Sequence, residues 1–204
     1  MNGPKSKAKR AVASDLRGKI VEVIVDVLAN QGIEALSFEL VASSLKMSRQ
    51  NLFYYFKSRD EMIEAAVMAS SLTGQQETIA ALKLAKTAQQ QLMAVIDAAY
   101  AWQIKYPSHA RVYALFYYLS TFDPRYRNLL DRAVGQARQR LMDILSDPAM
   151  GGSRSGLVLS ERAAMIHSVI FGRSVYSLLN VTDSRGGAQY VEQTKAMVGS
   201  LAQF

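Results

Sequence analysis

The chain has 204 residues, half of them apolar, a formal net charge of +7 and no cysteine. This length and apolar share allow a sizeable buried core in one large or two small domains, and the missing cysteines exclude disulfides, thiolate zinc sites and cysteine catalysis. No apolar run is long enough to cross a membrane and the basic N-terminus has no hydrophobic signal core, so a soluble, cytoplasmic protein is expected.

The charge is uneven. Through Asp60, ten basic side chains stand against six acidic ones, a net +4 in under a third of the length. A basic N-terminal module fits a polyanionic partner, because neutralising phosphates releases counterions. Residues 1–13 hold Gly3, Pro4, Lys5, Lys7, Lys9 and Arg10 with almost no large apolar side chain, and are read as a flexible basic arm able to follow a duplex or enter its minor groove. A first helix is predicted over Asp15–Gln31, stopped by Gly32.

Three helix starts then crowd into about twenty residues. Ser37 can cap a short helix whose apolar positions are Phe38, Val41, Ala42 and Leu45. Ser48 can cap a second, in which Leu52 and Phe56 pack inward and Arg49, Gln50, Asn51, Phe53, Tyr54 and Tyr55 share the other faces. Ser58 and Glu61 form an S-x-x-E capping box that opens another helix at Arg59, with Met62, Ile63, Ala66 and Val67 on one face. Two short helices around a tight turn suit a DNA-binding helix-turn-helix, and arginine, glutamine and asparagine near a helix start suit base edges. Tyr54, Tyr55, Lys57 and Arg59 are candidates for phosphate contacts, together with the hydroxyls of Ser37 and Ser48.

The order Ser37, Val41-Ala42, Met47-Ser48, Leu52-Phe53-Tyr54-Tyr55-Phe56, Ser58-Arg59-Asp60 and Met62 closely resembles the N-terminal domain of TetR-type transcriptional regulators, over about Arg17 to Ile63. The resemblance extends to the preceding helix, with Ile20, Val21, Ile24, Val27 and Leu28 ending at Gly32. It implies phosphate roles for Tyr55 and Arg59, and a divergent helical ligand-binding and dimerisation domain after the reading head. Two positions depart from the family pattern: Lys46 stands where a turn glycine is usual, and Phe53 where tyrosine is usual. The first puts the turn geometry in question, since a non-glycine residue with positive φ is unfavourable.

Beyond Ile63 the patterns remain helical. The polar stretch Ser70–Gln76, with Gly74, is the candidate boundary, dividing a helix-turn-helix domain with its connecting helix (14–70) from an effector-binding and dimerisation domain (71–204). A helix carrying Leu92, Val95, Ile96, Ala99 and Trp102 is broken by Pro107, which opens a nearly all-apolar helix through Val112, Phe116 and Leu119. Asp123-Pro124 opens a helix with Leu129, Leu130, Ala133, Ala137, Leu141, Ile144 and Leu145, and Asp147-Pro148 ends it before the loop Pro148–Gly156. Two closing helices, Ser160–Leu179 and Gln189–Leu201, flank Asp183–Gly187 and are expected to pair with a second copy in a four-helix dimer interface. No strand alternation is evident, so the expectation is an all-α fold.

Trp102, Tyr106, Tyr113, Phe116, Tyr117, Tyr118, Phe122, Phe171 and Tyr176 offer aromatic walls for a small apolar or amphipathic effector, with Gln103, His109, His167 and Asn180 as polar handles. Residues of this type at helical spacing equally describe plain core. The two histidines lie far apart without a carboxylate cluster, so no metal and no cofactor are expected. The expected protein is a homodimeric repressor that binds a palindromic double-stranded operator and releases it when an effector binds. A nonspecific architectural DNA binder is one alternative. An all-α enzyme is another, although phosphate loops, H-E-x-x-H pairs and G-x-S-x-G turns are absent.

Overall fold

The computed structural model describes residues 4–151, 155–179 and 187–203. Among them are nine α-helices and no strand: α1 (Pro4–Gln31), α2 (Phe38–Ser44), α3 (Arg49–Tyr55), α4 (Arg59–Leu84), α5 (Ala88–Lys105), α6 (Pro107–Leu119), α7 (Pro124–Leu145), α8 (Gly156–Leu178) and α9 (Gly187–Gln203). Short 3-10 turns fall at Ile33–Ala35 and Pro148–Met150. The all-α expectation holds.

The starts are where the caps predict. The hydroxyls of Ser37, Ser48 and Ser58 accept from the main-chain N–H groups of Leu40, Asn51 and Glu61 at 3.2, 3.1 and 3.1 Å. The Glu61 carboxylate reaches back to the N–H of Lys57 at 2.6 Å, one residue before the cap itself. Asp123 and Pro124 open α7 as cap and first residue, with Asp123 accepting from the Arg125 N–H at 2.9 Å.

Two elements differ from the sequence reading. Helix α1 begins at Pro4, so residues 4–13, expected as a flexible arm, continue the helix; Pro is favoured at a first helical position, and the Ala, Lys and Arg that follow are strong helix formers. Met1–Gly3 lie outside the described residues. The polar stretch Ser70–Gln76 is not an interruption but lies inside α4, which runs unbroken to Leu84. Its small polar side chains bond back into the helix: Ser70 Oγ to the Ala66 carbonyl, Thr73 Oγ1 to Ser70 and Thr78 Oγ1 to Gly74, at 2.8–3.0 Å. Gly74 faces the Trp102 indole, where a Cβ would come into van der Waals contact with the ring at 3.4 Å. The linker Asp183–Gly186 and the handle Asn180 lie outside the described residues.

Two apolar clusters form the interior. The first gathers Ile20, Ile24, Leu36, Val41, Leu52, Phe56 and Met62 of α1–α4 and their turns, and takes in Val112, Phe116 and Leu119 of α6 and Tyr126 of α7. The second joins Leu92 and Ile96 of α5, Leu141 and Leu145 of α7, Ile166 of α8 and Val198 of α9. Helix α6 is therefore built into the core of the N-terminal helices while the rest of the C-terminal bundle packs on itself. The division at residue 70 falls within a helix that belongs to both halves.

The turn between α2 and α3 is closed by the N–H of Met47 on the Ala42 carbonyl and that of Lys46 on Ser43, both at 3.0 Å. Lys46 has φ 51°, the one positive value at a non-glycine among the described residues. A left-handed conformation costs an L-residue about 1–2 kcal/mol, partly offset on substitution by the extra chain entropy of glycine. Lys46→Gly should therefore stabilise the protein by up to about 1 kcal/mol, read from the midpoint of urea denaturation at unchanged slope.

Candidate nucleic-acid interface and internal cavity

Helix α3 is anchored by Leu52 and by Phe56 just after it, both fully buried. The guanidinium of Arg17 lies over the Phe56 ring at 4.8 Å. Anchoring that side leaves Arg49, Gln50, Asn51 and Tyr54 exposed together on the other. Tyr54 is 73 % exposed, the most of any aromatic here. Arg49 pairs with Glu39 of α2 at 2.6 Å, and its guanidinium sits 5.7 Å from the Phe53 ring centre. Phe53 stacks on Phe38 at 4.1 Å with planes 10° apart. A ring stack and an ion pair thus tie α2 to α3 and hold Arg49 in an extended, outward pose.

The other candidate DNA contacts fall differently. Ser37 and Ser48 use their oxygens as caps. Tyr55 is half-buried against the first apolar cluster, with its ring edge-on to Tyr54 at 5.3 Å. Lys57 Nζ donates to the carbonyls of Phe53 and Tyr54 at 2.6 and 3.3 Å, placing a cation on the C-terminal end of α3 where the helix dipole favours it. Arg59 corrects the sequence expectation most clearly. Its Nε donates to the Leu36 carbonyl at 2.9 Å and a terminal nitrogen donates to the Ile33 carbonyl, so the guanidinium is turned inward onto the turn that follows α1. The planar fork of arginine spans these two main-chain carbonyls, of which that of Ile33 also accepts from the Leu36 N–H at 3.3 Å.

A cavity of about 170 Å³ lies between α4, α5, α6, α7 and α8, many times the ~10–15 Å³ that one water needs. Of the expected ligand residues, Trp102, Gln103, Tyr113, Tyr117, His167 and Phe171 line it. Tyr113 is edge-on to Trp102 at 5.8 Å and to Tyr117 at 5.6 Å, and Tyr117 stacks on Phe171 at 3.9 Å. Tyr106, Phe116, Tyr118, Phe122 and Tyr176 do not line it; Tyr118 and Phe122 are exposed and stand edge-on to each other at 5.2 Å. Tyr106 closes the α5–α6 junction edge-on to His109, Phe116 is buried in the first cluster, and Tyr176 is 55 % exposed on the outside of α8. Helical spacing marks these residues as apolar but not which neighbour each one faces.

Sequence reasoning missed Arg140, Gln75 and Thr78, which also line the cavity, and Glu39, which holds Arg49. Arg140 sits on an amphipathic helix, where a charge reads as solvated surface. Burial pushes the phenols of Tyr113 and Tyr117 upward and lowers the His167 imidazole to about 4, with the charge of Arg138 adding to the latter, so the ring is neutral near pH 7.

His109 lies elsewhere. Buried on α6, it bridges Ser70 of α4 through Nδ1 at 3.1 Å and Glu22 of α1 through Nε2 at 3.0 Å. Ser, His and Glu in line resemble a hydrolytic triad, but Ser70 is fully buried and its proton is held by the Ala66 carbonyl. The chain of bonds is a brace. Among the described residues no three metal-ligating side chains cluster, and no helix is long and apolar enough to cross a membrane.

Residues 20–66 match the sequence profile of bacterial regulatory proteins of the tetR family. No curated protein matches the chain. Similar solved structures include a protein assigned as a transcriptional regulator from Pseudomonas aeruginosa PAO1, at TM-score 0.79 and 17 % identity over 93 % of this chain and 91 % of that one. A TetR transcription regulator from Haloarcula marismortui ATCC 43049 aligns at TM-score 0.74 and 12 % identity over 93 % and 97 %. A protein assigned as a transcriptional regulator from Saccharomonospora viridis, solved in complex with choline, aligns at 0.73 and 19 % over 92 % and 95 %.

Since Arg59 supports the turn after α1, Arg59→Ala should destabilise the protein by about 1–3 kcal/mol, the loss of two part-buried, charge-assisted hydrogen bonds. Thermal and urea denaturation check this. A variant of unchanged stability that loses DNA affinity and one unit of salt slope would restore Arg59 to the phosphate-binding set.

Proposed function

We propose that this chain, whose residues 20–66 match the tetR family of bacterial regulatory proteins and whose fold is shared along its length with transcriptional regulators, is a dimeric, ligand-released repressor of a palindromic operator. The observation that carries the DNA-reading part is the joint exposure of Arg49, Gln50, Asn51 and Tyr54 on α3. Arg49 pairs with guanine, Gln50 and Asn51 read neighbouring base edges, and Tyr54 and Lys57 meet the flanking phosphates. One seven-residue helix touches few phosphates, so two copies reading half-sites about one helical turn apart are required for useful affinity. The outer faces of α8 and α9 support such pairing: Leu157, Met165, Tyr176 and Met197 are large apolar side chains exposed in the single chain. Repression follows most directly, because occluding a promoter needs no added activation surface.

The aromatic cavity is the effector site, a reading supported by its place against α4 and α6. The choline bound to a protein of similar fold is consistent with small ligands in such architectures. An effector that spreads α6 from α4 pulls on the His109 brace to Glu22 and on the exposed pair of Arg111 with Asn30, both ending on α1. The heads then move out of step with the two half-sites. A coupling of about 1–3 kcal/mol changes operator affinity roughly five- to 150-fold.

Selection of bound duplexes from a random library tests the reading directly. A palindromic winner preferred over random DNA is expected, and Arg49→Ala should relax preference at one position per half-site, by about 1–3 kcal/mol. Enrichment of no sequence would favour an architectural DNA binder. His109→Gln should leave ligand binding to the cavity intact while shrinking the ligand-induced loss of operator affinity toward unity; an undiminished response would remove the brace from the pathway.

A further inference from the structure

The cavity is apolar over most of its wall, yet it holds one formal charge. Arg140 of α7 lines it, half-buried, and no aspartate or glutamate does so among the described residues. Arg140 has no hydrogen-bond or carboxylate partner among those residues; its electrostatic neighbour is the Tyr113 hydroxyl, while burial lowers its affinity for the proton. Gln103 is 9 % exposed, lines the same cavity and makes no hydrogen bond to another described residue. A half-buried guanidinium and a buried amide, neither with a protein hydrogen-bond partner among the described residues, thus line one cavity, and burying such groups without partners is unfavourable. The exposed Arg138 adds positive potential, felt at His167 and Tyr117.

We propose, building on the effector reading of this cavity, that its ligand is an amphipathic monocarboxylate whose head group is bound by Arg140 and whose hydrocarbon body lies between Trp102, Tyr117 and Phe171. A planar carboxylate accepts two parallel N–H bonds from the guanidinium fork. Gln103 and the neutral donors of Tyr113 and His167 are the groups available to complete the head-group shell. A single half-buried cation balances a single negative charge, which favours a carboxylate over a doubly charged phosphate. A cationic head group would find aromatic faces here but also an unpaired arginine, and no acid to meet it.

Trp102 is the only tryptophan of the chain and lines the cavity, so its fluorescence reports occupancy. The probes are octanoate, 1-octanol, octyl phosphate and octyltrimethylammonium, titrated against the full-length protein and its Arg140→Gln and Arg140→Lys variants. Octanoate is expected to bind best. Arg140→Gln should weaken it about 10- to 100-fold while leaving octanol unchanged, with Arg140→Lys in between. The melting temperature of free Arg140→Gln should equal or exceed that of the parent, because a half-buried charge without a protein partner has been removed.

Tighter binding of octanol, octyl phosphate or the cation than of octanoate would overturn the carboxylate assignment and leave the cavity an effector site. Equal weakening of octanoate and octanol by Arg140→Gln, or a melting temperature lowered by several degrees, would make Arg140 a structural residue and overturn it as well. If no probe perturbs Trp102, the effector reading of the cavity itself fails.

Discussion

One helix cannot move alone in this protein. Val112, Phe116 and Leu119 of α6 are buried in the same apolar cluster as Ile20, Ile24, Leu52 and Phe56 of the reading head, while Ala110, Tyr113, Ala114 and Tyr117 of α6 form a wall of the cavity. Close-packed interiors transmit displacement instead of absorbing it, so a change in the width of the cavity must be met by a shift of α6 against α1 and α4. Because α4 is unbroken from Arg59 to Leu84, the same rod that carries the head also carries Gly74 and Thr78 at the cavity. The cavity and the N-terminal core share α4 and α6, and α4 is unbroken between them.

The two sites are built on opposite principles. At the head, polar groups are matched: Ser37 and Ser48 cap, Lys57 neutralises the end of α3, Arg59 satisfies the turn after α1 and Glu39 holds Arg49. That leaves α3, only seven residues long, rigid enough to present a fixed set of donors. In the cavity, Arg140 and Gln103 remain unmatched by other described residues, and the aromatic rings around them supply shape without satisfying them. A matched surface keeps its shape without a bound partner. An unmatched interior is poised to gain stability when a complementary molecule enters it.

The fold was largely legible residue by residue. Ser37, Ser48, Ser58 and Asp123 mark helix starts through their own side-chain oxygens, and Pro107 and Pro124 through a missing N–H, all of them local chemistry within four residues. The same local logic misjudged Ser70–Gln76. Polar residues and a glycine read as a boundary, but Gly74 is small where the Trp102 indole approaches and the hydroxyls return to their own helix. Likewise, the paucity of large apolar side chains in residues 4–13 concealed a run of good helix formers behind a proline.

Sequence alone determined the capped starts of α2, α3, α4 and α7 and which residues of α3 are left over by its inward Leu52, because each follows from propensity, periodicity and hydrogen bonds between near neighbours, while the left-handed conformation of Lys46 came from the structure. Only the tertiary structure decided that Arg59 points inward, that Tyr106, Phe116 and Tyr176 stand apart from the cavity, and that Arg140 enters it. Those outcomes depend on how helices distant in sequence cross. A 3.6-residue period says which side chains share a face, and only the packed neighbours determine whether that face meets solvent, core or an internal space.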